Sequence, residues 1–308
     1  MKQNYLNLHN ARRNKNDEFY TQLQDIEDYL QKFIPDFNNK YIYCNCDGLS
    51  SNFYIYFKTY YKDFNLKHLT ATAYNRTGRG IRIDFDGNKE TVTQLGFFDS
   101  GSFDCDACIE ILKQCDIVVT NPPFSLWRQY YTFLNKYNKK FIILGYWMAF
   151  SYKEVVPDII SKKTFFSNYI PLYFLGANKE VMCCWYNNVR DVDERKDVTF
   201  NCKYHKDIHR EADNWKWLVV KKQKDVPIDY YGLVATPITF FFTKEFWNNY
   251  EFMCVDNVPS TLTEWILNEC WKGFKYGIPK GAKKTDTFLD GKVQFIKLIC
   301  RRRKTEMK

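Results

Sequence analysis

Apolar positions in the first half of the chain alternate between two periods. Ile26, Tyr29, Leu30 and Phe33 recur at i, i+3, i+4 and i+7, one face of a helix. Asp25 stands where a cap is expected, and Pro35 is expected to end the segment. Residues 41–46 are a β-rich run, YIYCNC, closed by a turn over 47–52 that is rich in N-cap residues. A helix over 53–61 and a second strand over 69–74 complete a strand–helix–strand unit. Ile81, Ile83 and Phe85 alternate with polar residues and lead into Asp86-Gly87-Asn88, which predicts a hairpin within 76–94. Beyond a glycine-rich stretch over 96–101 come a helix over 107–114 and a strand over 116–120. Leu126, Tyr130, Phe133 and Leu134 then share a helical face, and a strand follows over 141–145. Strands alternating with helices at this spacing predict an α/β fold with a doubly wound, mostly parallel sheet. The second half is less regular, with strand-like islands at 216–220, 236–242 and 293–300.

The length of 308 residues fits one large domain or two modest ones. Apolar residues at 45% and charged residues at 26% are those of a globular protein, which excludes collagen-like, coiled-coil and disordered chains. No uncharged apolar run approaches the roughly 20 residues of a membrane span. The first twenty residues lack the apolar core of a signal peptide, so a cytoplasmic location and no membrane partner are expected. In that compartment the eleven cysteines are expected to be thiols. Cys44/Cys46 and the C-x-x-C pair Cys105/Cys108 lie far in sequence from His9, His68, His205 and His209, so no metal site is expected. The net charge of +9 allows a nucleic-acid partner without requiring one. Basic residues gather at Arg12, Arg13 and Lys15, at Lys280, Lys283 and Lys284, and at Arg301, Arg302, Arg303 and Lys304. A solvated tail is the competing explanation for each cluster.

The most informative segment is D-I-V-V-T-N-P-P-F, residues 116–124. A hydrophobic strand ends and Asn121-Pro122-Pro123-Phe124 follows at its carboxyl edge, where open α/β sheets bind ligands. Two prolines stiffen the backbone, and the residue before a proline is kept extended. The corner presents acceptors, the Asn121 side-chain oxygen and the Pro122 carbonyl, beside the flat face of Phe124. An exocyclic amine on a planar base offers two N–H donors to such acceptors. As its nitrogen becomes tetrahedral and positive, fixed acceptors stabilise it. The alternative is an ordinary loop after a strand, since Asn and Pro are common turn formers.

N-P-P-F after a strand resembles motif IV of the amino-methyltransferases that use S-adenosylmethionine. Lys15-Asn16-Asp17-Glu18-Phe19-Tyr20-Thr21-Gln22 resembles the F-x-T segment, motif X, of adenine-specific DNA enzymes. With Tyr43-Cys44-Asn45-Cys46-Asp47, Ser51-Asn52-Phe53, Ser151-Tyr152-Lys153-Glu154, Val226-Pro227-Ile228-Asp229-Tyr230 and Pro237-Ile238-Thr239-Phe240, the pattern is similar to the EcoRI-type adenine-specific DNA methyltransferase family, from about residue 10 to 303. The resemblance implies a Rossmann-like sheet and methyl transfer from S-adenosylmethionine to the N6 of an adenine flipped out of double-stranded DNA. It implies cofactor contacts at Phe19, Tyr20 and Thr21, at the motif I turn Cys44, Asn45, Cys46 and Asp47, and at Ser102 and Phe103. It assigns the target adenine to Asn121, Pro122, Pro123 and Phe124. The chain departs from the family in two places: the glycine-rich motif I is reduced to Gly48, and Ser102 stands where G-D-F is usual. Asp99 and Asp104 are alternatives for that acidic role, or caps for the helix after them.

Tyr146 and Trp147, after another strand, are candidates to line the target pocket, with a buried aromatic cluster as the alternative. Arg12 and Arg13 are candidate phosphate contacts. The expected organisation is a cofactor-binding and catalytic core over 1–160, then the remainder of the sheet with a DNA target-recognition region over 161–308. A restriction endonuclease acting on the same site is the expected second partner, in a restriction–modification or phage-encoded system. Competing classes are a methyltransferase of another planar amine, an RNA base or a protein glutamine, and a non-catalytic DNA-binding protein derived from such an enzyme.

Overall fold

The computed structural model describes residues 21–76, 78–174, 179–256, 263–273, 282–283, 285–294 and 296–304. They fall into two compact units. The first takes the described residues up to Phe150 together with Ser161–Asp193; the second takes Ser151–Ile160 and those from Glu194 on.

The first unit is built on a sheet of nine strands among the described residues, in the order β4-β3-β2-β1-β5-β6-β9-β7, with β8 paired to β9. Its centre is parallel: β2 (His68–Ala73), β1 (Tyr41–Asn45), β5 (Ile117–Thr120) and β6 (Lys140–Tyr146) run the same way. These strands are buried along most of their length because helices cover both faces. Antiparallel strands flank them. On one side β3 (Ile81–Phe85) and β4 (Glu90–Gln94) form the expected hairpin. Asp86 Oδ1 accepts from the Asn88 and Lys89 amides at 2.9 and 2.8 Å, and Gly87 takes φ +93°. On the other side β9 (Lys179–Asn187) pairs with β6, β7 (Phe165–Phe166) and β8 (Ile170–Phe174).

One face of the sheet packs Ile42, Cys44, Leu69, Val119 and Ile142 against α1 (Leu23–Leu30) and α2 (Asn52–Thr59) in a continuous apolar cluster. Tyr29 stacks on Trp185 at 4.7 Å within it. The order of the helices was legible, but two details differ from expectation. Gln22 takes the N-cap position of α1 without a side-chain bond, and Asp25 lies within the first turn. Pro35 does not stop the chain: after a 3-10 turn over Gln31–Phe33 it sits in the first turn of a further helical segment, Ile34–Phe37, where its missing N–H costs nothing.

The second unit carries a five-stranded sheet, ordered β10 (Arg210–Glu211), β11 (Leu218–Val219), β12 (Leu233–Pro237), β16 (Lys297–Arg302) and β13 (Tyr250–Val255). A small hairpin pairs β14 (Phe288–Leu289) with β15 (Lys292–Val293). Trp215 and Trp217 stack at 4.5 Å in its core. The strand expected over 236–242 ends at Pro237, and Ile238–Phe242 is a 3-10 turn. Ile238, Phe240, Phe241 and Phe242 are all buried there. A 3-10 turn spreads successive side chains around its axis at about a third of a turn each, whereas a strand sends them only to two opposite faces.

Candidate functional site

A cleft of about 470 Å³ opens in the first unit at the carboxyl ends of β1, β2 and β5. Its floor forms where β1 stops. Cys46 turns the chain at φ +83°, a conformation that ordinarily calls for glycine. The Asp47 amide then donates to the Thr72 carbonyl of β2 at 2.9 Å. Asp47 is 5% exposed, and burial pushes its carboxyl up to about 7. Hydrogen bonds from Ser51 Oγ and from Thr120 Oγ1 (2.6 Å) act in the opposite direction. Ser51 also caps α2, its oxygen accepting from the Phe53 amide at 3.2 Å. The Asn45 carbonyl lies within reach of the same Thr120 hydroxyl, at the end of β5, so its one proton is shared between the two acceptors. The floor therefore ties β1, β5 and the start of α2 together around one carboxyl group.

Asn121 follows Thr120 on the wall of the cleft. Its Nδ2 donates to Thr21 Oγ1 at 3.2 Å, while the Thr21 carbonyl accepts from Asn52 Nδ2 at 2.8 Å. Pro122 is buried, and Pro123 lines the cleft. The Pro123 carbonyl accepts from the Leu126 amide at 2.9 Å, which starts the turn into α4 (Trp127–Lys136). Trp127 Nε1 donates to the Leu144 carbonyl at 2.9 Å and holds α4 on β6. Gly145 makes room for this contact: a Cβ there would lie 2.4 Å from Trp127 Nε1.

The opposite wall is Ala73, Tyr74, Gly101, Ser102 and Phe103. Gly101 adopts φ +80°, and a Cβ on it would meet the Ala73 carbonyl oxygen at 2.3 Å. Ser102 Oγ donates to Asp104. Phe103 lies edge-on to Tyr130 at 5.0 Å. Asp99 accepts from the Ala107 amide at 3.3 Å, capping α3 (Asp106–Gln114).

The structure brings together Thr21, Cys46, Asp47, Ser102, Phe103, Asn121 and Pro123 from the residues singled out in the sequence. It sends others elsewhere. Cys44 is fully buried and points into the apolar core, one residue out of phase with the turn that reaches the cleft. Asn45 is fully buried, its Oδ1 accepting from Thr72 Oγ1 at 3.3 Å. Phe124 is half-buried and packs edge-on against Phe174 at 6.0 Å, outside the lining. Tyr146 ends β6 and Trp147 follows it, one strand over from Asn121 and also outside the lining. Phe19, Tyr20, Arg12 and Arg13 lie outside the described residues. Ser51, Thr120, Asn52 and Tyr74 were not singled out as site residues. Ser51 had a signal, as a cap before an aromatic run; Thr120 and Tyr74 had none, since they meet the site through tertiary pairing.

A parallel α/β centre with a cleft at its strand ends, and Asn121 and Pro123 on the wall of that cleft, is an arrangement that binds ligands at the carboxyl edge of a sheet. The comparisons narrow this. The chain belongs to the family described as adenine-specific methyltransferase EcoRI, which it matches over residues 7–173 and 176–303. It is 34% identical to the Type II methyltransferase M.EcoRI of Escherichia coli, over 76% of this chain and 84% of that protein. It is 32% identical to M.MgeORF184P of Mycoplasma genitalium and 28% identical to M.MpnI of Mycoplasma pneumoniae, each over 75% of this chain and 80% of the relative. No solved structure matches it. Among the described residues no helix is long and apolar enough to cross a membrane.

Proposed function

We propose that the protein transfers a methyl group from S-adenosylmethionine to the N6 of an adenine everted from a specific site in double-stranded DNA. The observation that carries this reading is the diproline corner, with Asn121 and Pro123 on the wall of a cleft floored by the buried acid Asp47. The residues fit the cofactor. A volume of about 470 Å³ lies in the range of small-molecule sites. Asp47 offers a carboxylate to a cationic ligand, while Tyr74 and Phe103 offer aromatic surface to a purine. Thr21, Cys46, Asp47, Ser102 and Phe103 would hold the cofactor here, with Phe19 and Tyr20 added by the family pattern. When bound, S-adenosylmethionine supplies a methyl carbon made electrophilic by a cationic sulfur.

The protein's own part is acceptance and alignment. Asn121 Oδ1 and the Pro122 carbonyl take the two N6 hydrogens, and they hold the nitrogen while it becomes tetrahedral and positive. No strong base is needed beforehand, so positioning dominates. Everting the base costs roughly a few kcal/mol, offset by contacts to the duplex. Exposed Lys203, Lys206, Lys221, Lys222 and Lys224 support the second unit as the source of phosphate contacts, with target recognition assigned to the same unit. A duplex DNA substrate places the reaction in the cytoplasm. The Type II names of the relatives favour a restriction–modification setting over a phage-encoded one, and an endonuclease acting on the same site is the partner proposed for it. The test is transfer of labelled methyl to duplex DNA, RNA and protein, followed by nucleoside analysis. N6-methyldeoxyadenosine is expected; label on RNA or glutamine, or none, overturns the proposal.

A further inference from the structure

The target amine offers only donors, so the Asn121 amide has to present its oxygen and not its nitrogen. An asparagine amide can turn over about its last torsion, and its two ends are nearly the same shape. In the turned-over state an N–H would face the N–H of the substrate. Something beside Asn121 has to commit its Nδ2 elsewhere.

Thr21 is placed for that. Its Oγ1 accepts from Asn121 Nδ2 at 3.2 Å, across 100 residues of chain. It is 4% exposed, so water competes poorly for either group. Its backbone is pinned independently, because the Thr21 carbonyl accepts from Asn52 Nδ2 at 2.8 Å and Asn52 begins α2. A hydroxyl that accepts from Nδ2 takes the nitrogen end and leaves the carbonyl end for a donor. One that donated to Oδ1 would instead compete with the substrate for its lone pairs. We infer that Thr21 is a positioning residue for methyl transfer: its hydroxyl holds the Asn121 amide by its nitrogen end. This rests on the proposed function, and it separates Thr21 from a simple cofactor contact.

The test uses the full-length protein with Thr21→Val, which keeps the shape and removes the acceptor, and with Thr21→Ser, which restores it. Cofactor and duplex binding are measured by calorimetry, and methyl transfer in a single turnover with both saturating. For Thr21→Val we expect duplex affinity within about twofold of wild type and, with both ligands saturating, a rate lower by on the order of tenfold whatever the change in cofactor affinity. That loss is what weakening one preorganised hydrogen bond gives. Thr21→Ser is expected to recover to within about threefold. A full rate in Thr21→Val at saturation overturns the inference, and with weakened cofactor binding it makes Thr21 a cofactor contact. Equal losses in Val and Ser overturn it as well. Should Thr21→Val fail to fold by thermal melting, Thr21→Ala serves, and a full rate there is equally fatal. Absence of N6-methyladenine with wild-type protein would instead sink the proposed function, so the two failures are distinguishable.

Discussion

Cys46 carries the turn that a glycine-rich loop would carry in a more typical chain. At φ +83° a side chain with a Cβ costs roughly 1–2 kcal/mol, part of which a glycine would return as unfolded-state entropy. Cys46→Gly is therefore expected to leave the melting temperature unchanged or raise it, by up to about 1 kcal/mol of stability. Cys46→Val is expected to lower it, since a β-branched residue suits this conformation least. One residue on, Asp47 is expected to give the cleft a pH dependence. Its carboxyl is raised to about 7, so below that pH it is neutral and offers no charge to a cationic cofactor. Calorimetry should show S-adenosylmethionine binding weaken as pH falls from 7 to 5.5, and Asp47→Asn should bind weakly with a flat profile over that range. Equal acid sensitivity in the variant would remove Asp47 from that role.

The elements show what the sequence made legible and what it hid. Strands β1, β2 and β5 were readable because they are short, apolar and bounded by turn residues, and the hairpin because Asp86-Gly87-Asn88 names its own turn. The N-P-P-F corner was readable because it stands directly after such a strand. The Asp47 floor was not, because Thr120 reaches it across 73 residues of chain. The surroundings of Phe124 were hidden for a related reason: it packs at right angles to Phe174, from a distant strand, a contact that no local pattern announces. Cys44 and Cys46 look alike in sequence, and only the end of the pleat separates core from cleft. The corner also depends on α4 staying on β6. Gly145→Ala would push a methyl group into Trp127 Nε1 and break its bond to the Leu144 carbonyl. Overpacking of this kind costs typically 1–3 kcal/mol. Thermal unfolding is expected to show that loss, with a slower methyl transfer because α4 follows directly on the corner.

For the molecule as a whole, two buried carboxyls set the course of stability with pH. Burial raises Asp47, in the first unit, and Asp256, in the second, to about 7 each, above the unfolded value near 4. Between these values the unfolded chain has released protons that the folded chain still holds. Their contribution to stability therefore falls as pH climbs from about 4 to about 7. Asp84 works the other way: burial alone would raise it, but hydrogen bonds from His68, Arg82 and Thr70 lower it, so its contribution is lost as pH falls below about 4. Denaturant melts at pH 5 and pH 7 should show a smaller decline in Asp47→Asn and Asp256→Asn than in wild type. At the same scale, binding to duplex DNA through surface lysines should weaken steeply with added salt. The central claim is that the diproline corner presents Asn121 to the amino group of adenine. The direct measurement is Asn121→Ala, with cofactor binding, duplex binding and single-turnover methylation determined separately. Both bindings should persist while N6-methyladenine formation falls on the order of 10²–10³-fold; turnover near the wild-type rate would contradict the account.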